Sequence, residues 1–211
     1  MVYLFKNELR AISSYVQRNY PELIVIISAT LCFTLYEYHL IWNPLLSSLI
    51  YYAAVPLLVI IVFLRRNPLD FGLRFGNSRT WGFYTVVTCL VGLPILYIAS
   101  RNHILHGYYL IDNFDLLKYS LVTVFGLLAS EFILRGFLLF GLKDKLKEGS
   151  ILIQMVPFVL LHFGKPEIET ISTILTGIYF GYVAYRGNSY WPAFIIHVFI
   201  NISFVLFVNS F

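Results

Sequence analysis

The chain has 211 residues, of which 59% are hydrophobic and only 12% are charged. Soluble domains typically have about 45–50% apolar and about 25% charged residues, so the composition excludes an ordinary soluble domain and indicates a membrane protein. The net charge of +4 does not predict a nucleic-acid partner. The basic residues lie between apolar runs, which is the loop distribution typical of membrane proteins.

The N-terminal residues 1–20 predict an amphipathic helix. Phe5, Leu9, Ile12 and Val16 recur at helical spacing, with polar residues between them. Such a helix lies in the headgroup region with its apolar face towards the acyl chains and does not cross the bilayer. We therefore divide the chain into an interfacial helix over 1–20 and a transmembrane bundle over 21–211.

Seven apolar runs follow, and they predict an all-α, polytopic bundle of membrane helices, with an eighth span left open. The fifth run has only 14 residues. As a helix it would rise about 21 Å and end inside the bilayer, where a turn through Gly164 and Pro166 would follow. The predicted spans are 22–42, 45–64, 81–100, 119–142, 151–164, 169–185 and 190–209.

Lysine and arginine residues are unevenly distributed between these runs. Eleven would lie on the side of the N terminus and three on the other side. The positive-inside rule therefore predicts a cytoplasmic N terminus. We expect an integral protein of a prokaryotic cell membrane, with membrane lipid and a substrate as its partners and no nucleic acid.

Polar and ionisable residues interrupt three of the predicted spans. Glu131 and Arg135 are one helical turn apart, His162 ends the fifth run, and His197 and Asn201 are one turn apart in the last run. A charged group at membrane depth costs about 2.5–3.5 kcal/mol and usually marks function. Counted from the predicted helix ends, four of these residues lie about 12–18 Å deep in the membrane. They are Glu131, His162, His197 and Asn201. The sequence therefore predicts a buried reaction centre.

These side chains suit peptide hydrolysis without a covalent intermediate. A carboxylate and a histidine can activate water as a general base. His197 and Asn201 can donate hydrogen bonds to one developing oxyanion. Other interpretations stay open: Glu131 and Arg135 can be only a neutralising ion pair, and two histidines with a glutamate can bind zinc, although the helical H-E-x-x-H pair is missing. We expect no cofactor.

Three short elements resemble, in order and spacing, the motifs of the CAAX protease and bacteriocin-processing family, also called the Abi or glutamic intramembrane protease family. They are Glu131-x-x-x-Arg135-Gly136, Phe158-x-x-x-His162 and His197-x-x-x-Asn201. The resemblance covers about residues 119–203. It implies an intramembrane endopeptidase that cuts a peptide or protein substrate, which in such a family can be lipid-modified. It also implies water activation by a glutamate with His162, and oxyanion binding by His197 and Asn201.

One position departs from the family pattern. The family's first element usually has two adjacent glutamates, and Ser130 replaces the one thought to be catalytic. Either Glu131 takes over as the base, or Glu167 or Glu169 supplies the carboxylate from the turn after His162. Alternatively, the chain is a proteolytically silent immunity or scaffold protein. We favour an active peptidase that cuts near the cytoplasmic face over a small transporter, because repeated halves are missing.

Overall fold

The computed structural model describes residues 2–210, and the side chains of residues 5–210. This part of the chain folds into helices without a β-strand, which confirms the predicted all-α bundle. A short 3₁₀ turn, Pro68–Asp70, lies in one loop. The helices are α1 (Val2–Arg18), α2 (Tyr20–Tyr38), α3 (Pro44–Phe63), α4 (Ser78–Ala99), α5 (His103–Tyr109), α6 (Leu116–Leu146), α7 (Gly149–Leu160), α8 (Glu167–Gly187) and α9 (Trp191–Asn209).

Five of these helices are long and apolar enough to cross a membrane, namely α2, α3, α4, α6 and α9. The chain is therefore an integral membrane protein. The other two predicted spans also form helices, but neither meets the same criteria. The fifth becomes α7, with only 12 residues. The sixth lies in α8, which has 21 residues and carries charged side chains at both ends.

The helix predicted over 1–20 is present as α1. Its apolar residues Phe5, Leu9, Ile12 and Val16 are 42–65% exposed and so pack against little of the protein. Apolar side chains left outside the bundle along one helix are those that a bilayer surface would cover. The interfacial location of α1 stays a prediction.

The longest helix, α6, is wider in its middle third. Residues Phe132–Leu138 form π-helical turns, and every one of them is buried. This segment begins directly after Glu131 and contains Arg135. Single π-helical turns within α-helices are rare and occur frequently at functional sites.

Two glycines let α8 pack closely against α7. A Cβ atom added to Gly181 would collide with the amide of Gln154, and one added to Gly177 would lie 2.9 Å from the ring of Phe158. The buried Gln154 uses this proximity, because its Nε2 donates to the carbonyl of Gly177 at 2.8 Å. Small residues and interhelical hydrogen bonds are the usual means of helix association in membranes. This packing holds α7, and with it His162, against the rest of the bundle.

Candidate active site

A cavity of about 320 Å³ lies between α3, α6, α9 and the end of α7. Five of the polar residues singled out in the sequence line it together. They are Ser130, Glu131, His162, His197 and Asn201. Most of the remaining wall is apolar or aromatic. The fold thus brings side chains from three separate segments into one cavity.

Glu131 is the centre of the polar network. Its Oε1 accepts a hydrogen bond from Nη1 of Arg135 at 2.9 Å and lies 2.7 Å from Nδ1 of His197. The side chains of Glu131 and Arg135 are fully buried. A buried charge is tolerated when it is paired and hydrogen-bonded. The ion pair predicted one helical turn apart is therefore present, and it also includes His197.

Aromatic rings enclose the guanidinium group. Cζ of Arg135 lies 4.2 Å from the ring centroid of Phe158 and 5.3 Å from that of Phe180. Contacts of this kind stabilise a cation most strongly when it is shielded from water. Three buried polar atoms of the pair, Oε2 of Glu131 and Nε and Nη2 of Arg135, have no hydrogen-bond partner among the described residues. Such atoms are the usual binding places of internal water.

His162 lies just beyond the end of α7 and is held by that helix. Its Nδ1 is 2.8 Å from the carbonyl oxygen of Phe158. A carbonyl only accepts, so Nδ1 carries the proton and donates it. In the neutral ring this leaves the lone pair on Nε2 available. The ring, 9% exposed, lines the cavity.

Asn201 has a partner that the sequence did not reveal. The hydroxyl of Tyr119 donates to Oδ1 of Asn201 at 2.6 Å. Because the oxygen end of the amide is occupied, the Nδ2 hydrogens remain available as donors. Tyr119 lies near the start of α6, where a tyrosine is ordinarily interpreted as part of the aromatic belt at the membrane surface. Only the fold identifies it as a neighbour of Asn201.

The two glutamates in the first turn of α8, Glu167 and Glu169, do not line the cavity. Both carboxylate oxygens of Glu169 accept from the hydroxyl of Tyr109 at 2.7 Å, and one also accepts from Nζ of Lys165 at 2.8 Å. Burial and this carboxylate raise the pKa of Tyr109 well above its ordinary value, so the hydroxyl keeps its proton. Glu167 lies in a separate surface pocket beside Asn102.

Ser130 is an ordinary helical serine. Its hydroxyl donates to the carbonyl of Gly126, one turn earlier in α6, at 3.1 Å. It faces the cavity, at the position where a second glutamate would be expected. Within residues 2–210, no three His, Cys, Asp or Glu side chains are grouped so that they could hold a metal ion.

Most of the cavity lining lies in the half of the bundle opposite α1. Its α6 lining extends from Val122 to Leu134 and includes none of the residues after Leu134, and its α3 lining starts at Pro44. The cytoplasmic N terminus and the cut near the cytoplasmic face both stay predictions.

The fold and site define a helical membrane protein with a buried ion pair and two histidines beside one cavity. Within that class, residues 112–203 match the model of the family described as type II CAAX prenyl endopeptidase, Rce1-like. The match confirms the similarity to the CAAX protease family that the motifs predict, and it covers α6, α7, α8 and the part of α9 up to residue 203. No curated protein and no solved structure is significantly similar to the chain.

Proposed function

We propose that the protein is an intramembrane endopeptidase, in which Glu131 and His162 activate a water molecule while His197 and Asn201 bind the developing oxyanion. The observation that supports this most is the convergence of these four side chains on one cavity, although three separate segments supply them. The match to an endopeptidase family over the same helices supports it independently.

Water activation needs a lone pair that is not already used. Nε2 of His162 offers one, because Nδ1 donates to Phe158. Glu131 contributes its second oxygen, Oε2, which has no hydrogen-bond partner among the described residues. A water molecule held between these two groups would lose a proton to them as it attacks the peptide carbonyl, a role worth about 10²–10⁴ in rate for a positioned base.

Oxyanion binding needs donors that point to one place. The Nδ2 group of Asn201 is available because Tyr119 occupies the amide oxygen. Nδ1 of His197 lies 2.7 Å from Oε1 of Glu131, and its Nε2 would be the second donor to the oxyanion when it carries a proton. Donors fixed in advance near the developing charge usually contribute the largest single share of catalysis.

The substrate is a peptide or protein segment at the membrane. The description of the matched family names prenyl endopeptidases. A prenyl group would suit the apolar part of the cavity wall, which includes Leu45, Val122 and Leu127. Two peptides of one sequence, with and without a prenylated cysteine, test whether the prenyl group is recognised. If it is, the prenylated peptide is cleaved faster than the unmodified one.

A proteolytically silent relative is the second candidate, and Ser130 favours it. A neutral serine bound to its own helix supplies no carboxylate at the position where the family usually has one. Hydrolysis of a peptide library by the purified wild-type protein decides between the two. If the wild type is inactive and Ser130→Glu gains activity, the protein is a silenced relative.

The same assay tests the zinc alternative. In the proposed mechanism the two histidines contact protein groups and water, so we expect chelators to leave turnover unchanged. Reversible loss of turnover in chelator, restored by added zinc, would replace the water-activation step with metal catalysis.

A further inference from the structure

The two ends of the bundle differ strongly in charge. We call the end that carries α1, loop 64–77 and loop 188–190 the basic face. Contacts across these loops confirm that they lie together: Arg66 pairs with Asp144 at 3.2 Å, and Nζ of Lys143 donates to Oδ1 of Asn188 at 3.0 Å. The basic face has eleven Lys and Arg residues and five Asp and Glu residues. Its basic residues are Lys6, Arg10, Arg18, Arg65, Arg66, Arg74, Arg79, Lys143, Lys145, Lys147 and Arg186.

The opposite face has the reverse balance. It carries loop 39–43, α5, the α7–α8 turn and the C-terminal end of α9, joined by the bonds from Tyr109 to Glu169 and from the Ile111 backbone N–H to Asn209. Three basic residues lie there against five acidic ones. The eight are Arg101, Lys118, Lys165, Glu37, Asp112, Asp115, Glu167 and Glu169.

The cavity belongs to the opposite face. Most of the lining comes from parts of the chain that lie towards this face, namely the end of α2, the start of α3, the first part of α6 and the residues that follow α7. Glu131 lies at the middle of α6, and α9 contributes His197 and Asn201 from its first half and its middle. On α6 the lining begins at Val122, about 9 Å from the start of the helix. It reaches the surface at the exposed Pro44 and the partly exposed Lys165.

We infer that the cavity opens on the non-cytoplasmic side of the membrane, and that its substrates are peptide segments presented on that side. Lys and Arg are retained in cytoplasmic loops, so the basic face is the cytoplasmic one and the cavity faces away from it. The side on which the cavity opens does not depend on catalysis. That a peptide bound there is a substrate rests on the proposed function. Peptides at cytoplasmic protein ends, by contrast, do not reach this cavity.

Single cysteines report the orientation directly. In a Cys89→Ser background, which leaves only the buried Cys32, we would introduce Asp112→Cys on the opposite face and Lys145→Cys on the basic face. Val122→Cys reports whether the maleimide can enter the cavity, and Val91→Cys is its matched control. Val91 is 56% exposed and Val122 is 48% exposed, but only Val122 lines the cavity. Each variant is expressed in bacterial cells and treated with a membrane-impermeant maleimide before and after permeabilisation.

We expect Asp112→Cys and Val122→Cys to be labelled in intact spheroplasts, Lys145→Cys only after permeabilisation, and Val91→Cys in neither state. Labelling of Lys145→Cys in intact spheroplasts would overturn the inference. So would a Val122→Cys that stays unlabelled while Asp112→Cys reacts. Because labelling requires no turnover, an inactive but correctly labelled wild type would contradict only the proposed function.

Discussion

Nδ1 of His197 lies 2.7 Å from Oε1 of Glu131, the same carboxylate oxygen that accepts from Arg135 at 2.9 Å. One buried oxygen therefore joins the ion pair of α6 to the histidine of α9. The family resemblance assigns these two residues to different catalytic tasks, water activation and oxyanion binding. In the fold they are direct partners, and a change in either one alters the other.

The first prediction concerns this shared carboxylate. Glu131→Gln should abolish turnover, because it removes the charge that faces His197 and supports the base. It also leaves Arg135 buried without a counter-charge, which costs about 3–5 kcal/mol when a buried pair is broken. The double variant Glu131→Gln with Arg135→Met removes both charges. It should recover thermal stability in detergent without recovering peptide hydrolysis. A stable double variant with wild-type turnover would eliminate Glu131 from the mechanism.

The second prediction concerns the two glutamates in the first turn of α8. Glu169→Gln and Glu167→Gln should keep nearly full turnover, since neither carboxylate lines the cavity. Peptide hydrolysis under identical conditions, with Glu131→Gln as the comparison, provides the test. A loss in Glu169→Gln as large as that in His162→Ala would assign the base to the turn. Full activity in all three glutamine variants would rule out a glutamate-based mechanism.

The third prediction concerns the amide of Asn201. Asn201→Ala should lower kcat by about 10²–10³, as removal of one oxyanion donor does, while KM changes little. Tyr119→Phe removes only the hydroxyl that fixes the amide and should lower kcat by a smaller factor, again at constant KM. Steady-state kinetics on both variants provides the measurement. A rise in KM at constant kcat would assign these residues to binding of the ground-state substrate.

Much of this arrangement follows from the sequence. The helical class, α1 and the pairing of Glu131 with Arg135 come from periodicity and from the cost of unpaired charges in a membrane. The convergence of His162, His197 and Glu131 was expected from their similar depth alone. The similarity to the protease family was equally visible in three short motifs.

Other features depend on how the helices pack. The hydrogen bond between Tyr119 and Asn201 joins residues 82 positions apart, and no local pattern encodes it. The short sequence distance between His162 and Glu169 allowed a catalytic role for this glutamate. Only the fold shows that Glu169 binds the hydroxyl of Tyr109 instead. The side on which the cavity opens also depends on packing. Depth along the helices places the polar residues at one level of the membrane, but it does not tell which face of the membrane the cavity opens to.

The fourth prediction tests the packing that holds α7. Gly181→Ala should destabilise the protein by about 1–3 kcal/mol, because the added methyl group enters the space of the Gln154 amide in a closely packed interface. Gly82→Ala is the matched control. Gly82 also lies in a helix, but a Cβ there meets nothing within 4 Å. Thermal unfolding in detergent compares the two. Equal stability of both variants would contradict the close contact between α7 and α8.

The most direct test of the central claim is the turnover of His162→Ala on a peptide that the wild type cleaves. Nε2 of His162 offers a free lone pair in the cavity, so kcat should fall by about 10²–10⁴ while the protein stays folded in membranes. His39→Ala is the control, since His39 is exposed at the end of α2 and lies outside the cavity lining; it should keep wild-type turnover. A folded His162→Ala protein that hydrolyses the peptide at the wild-type rate would contradict water activation by this histidine.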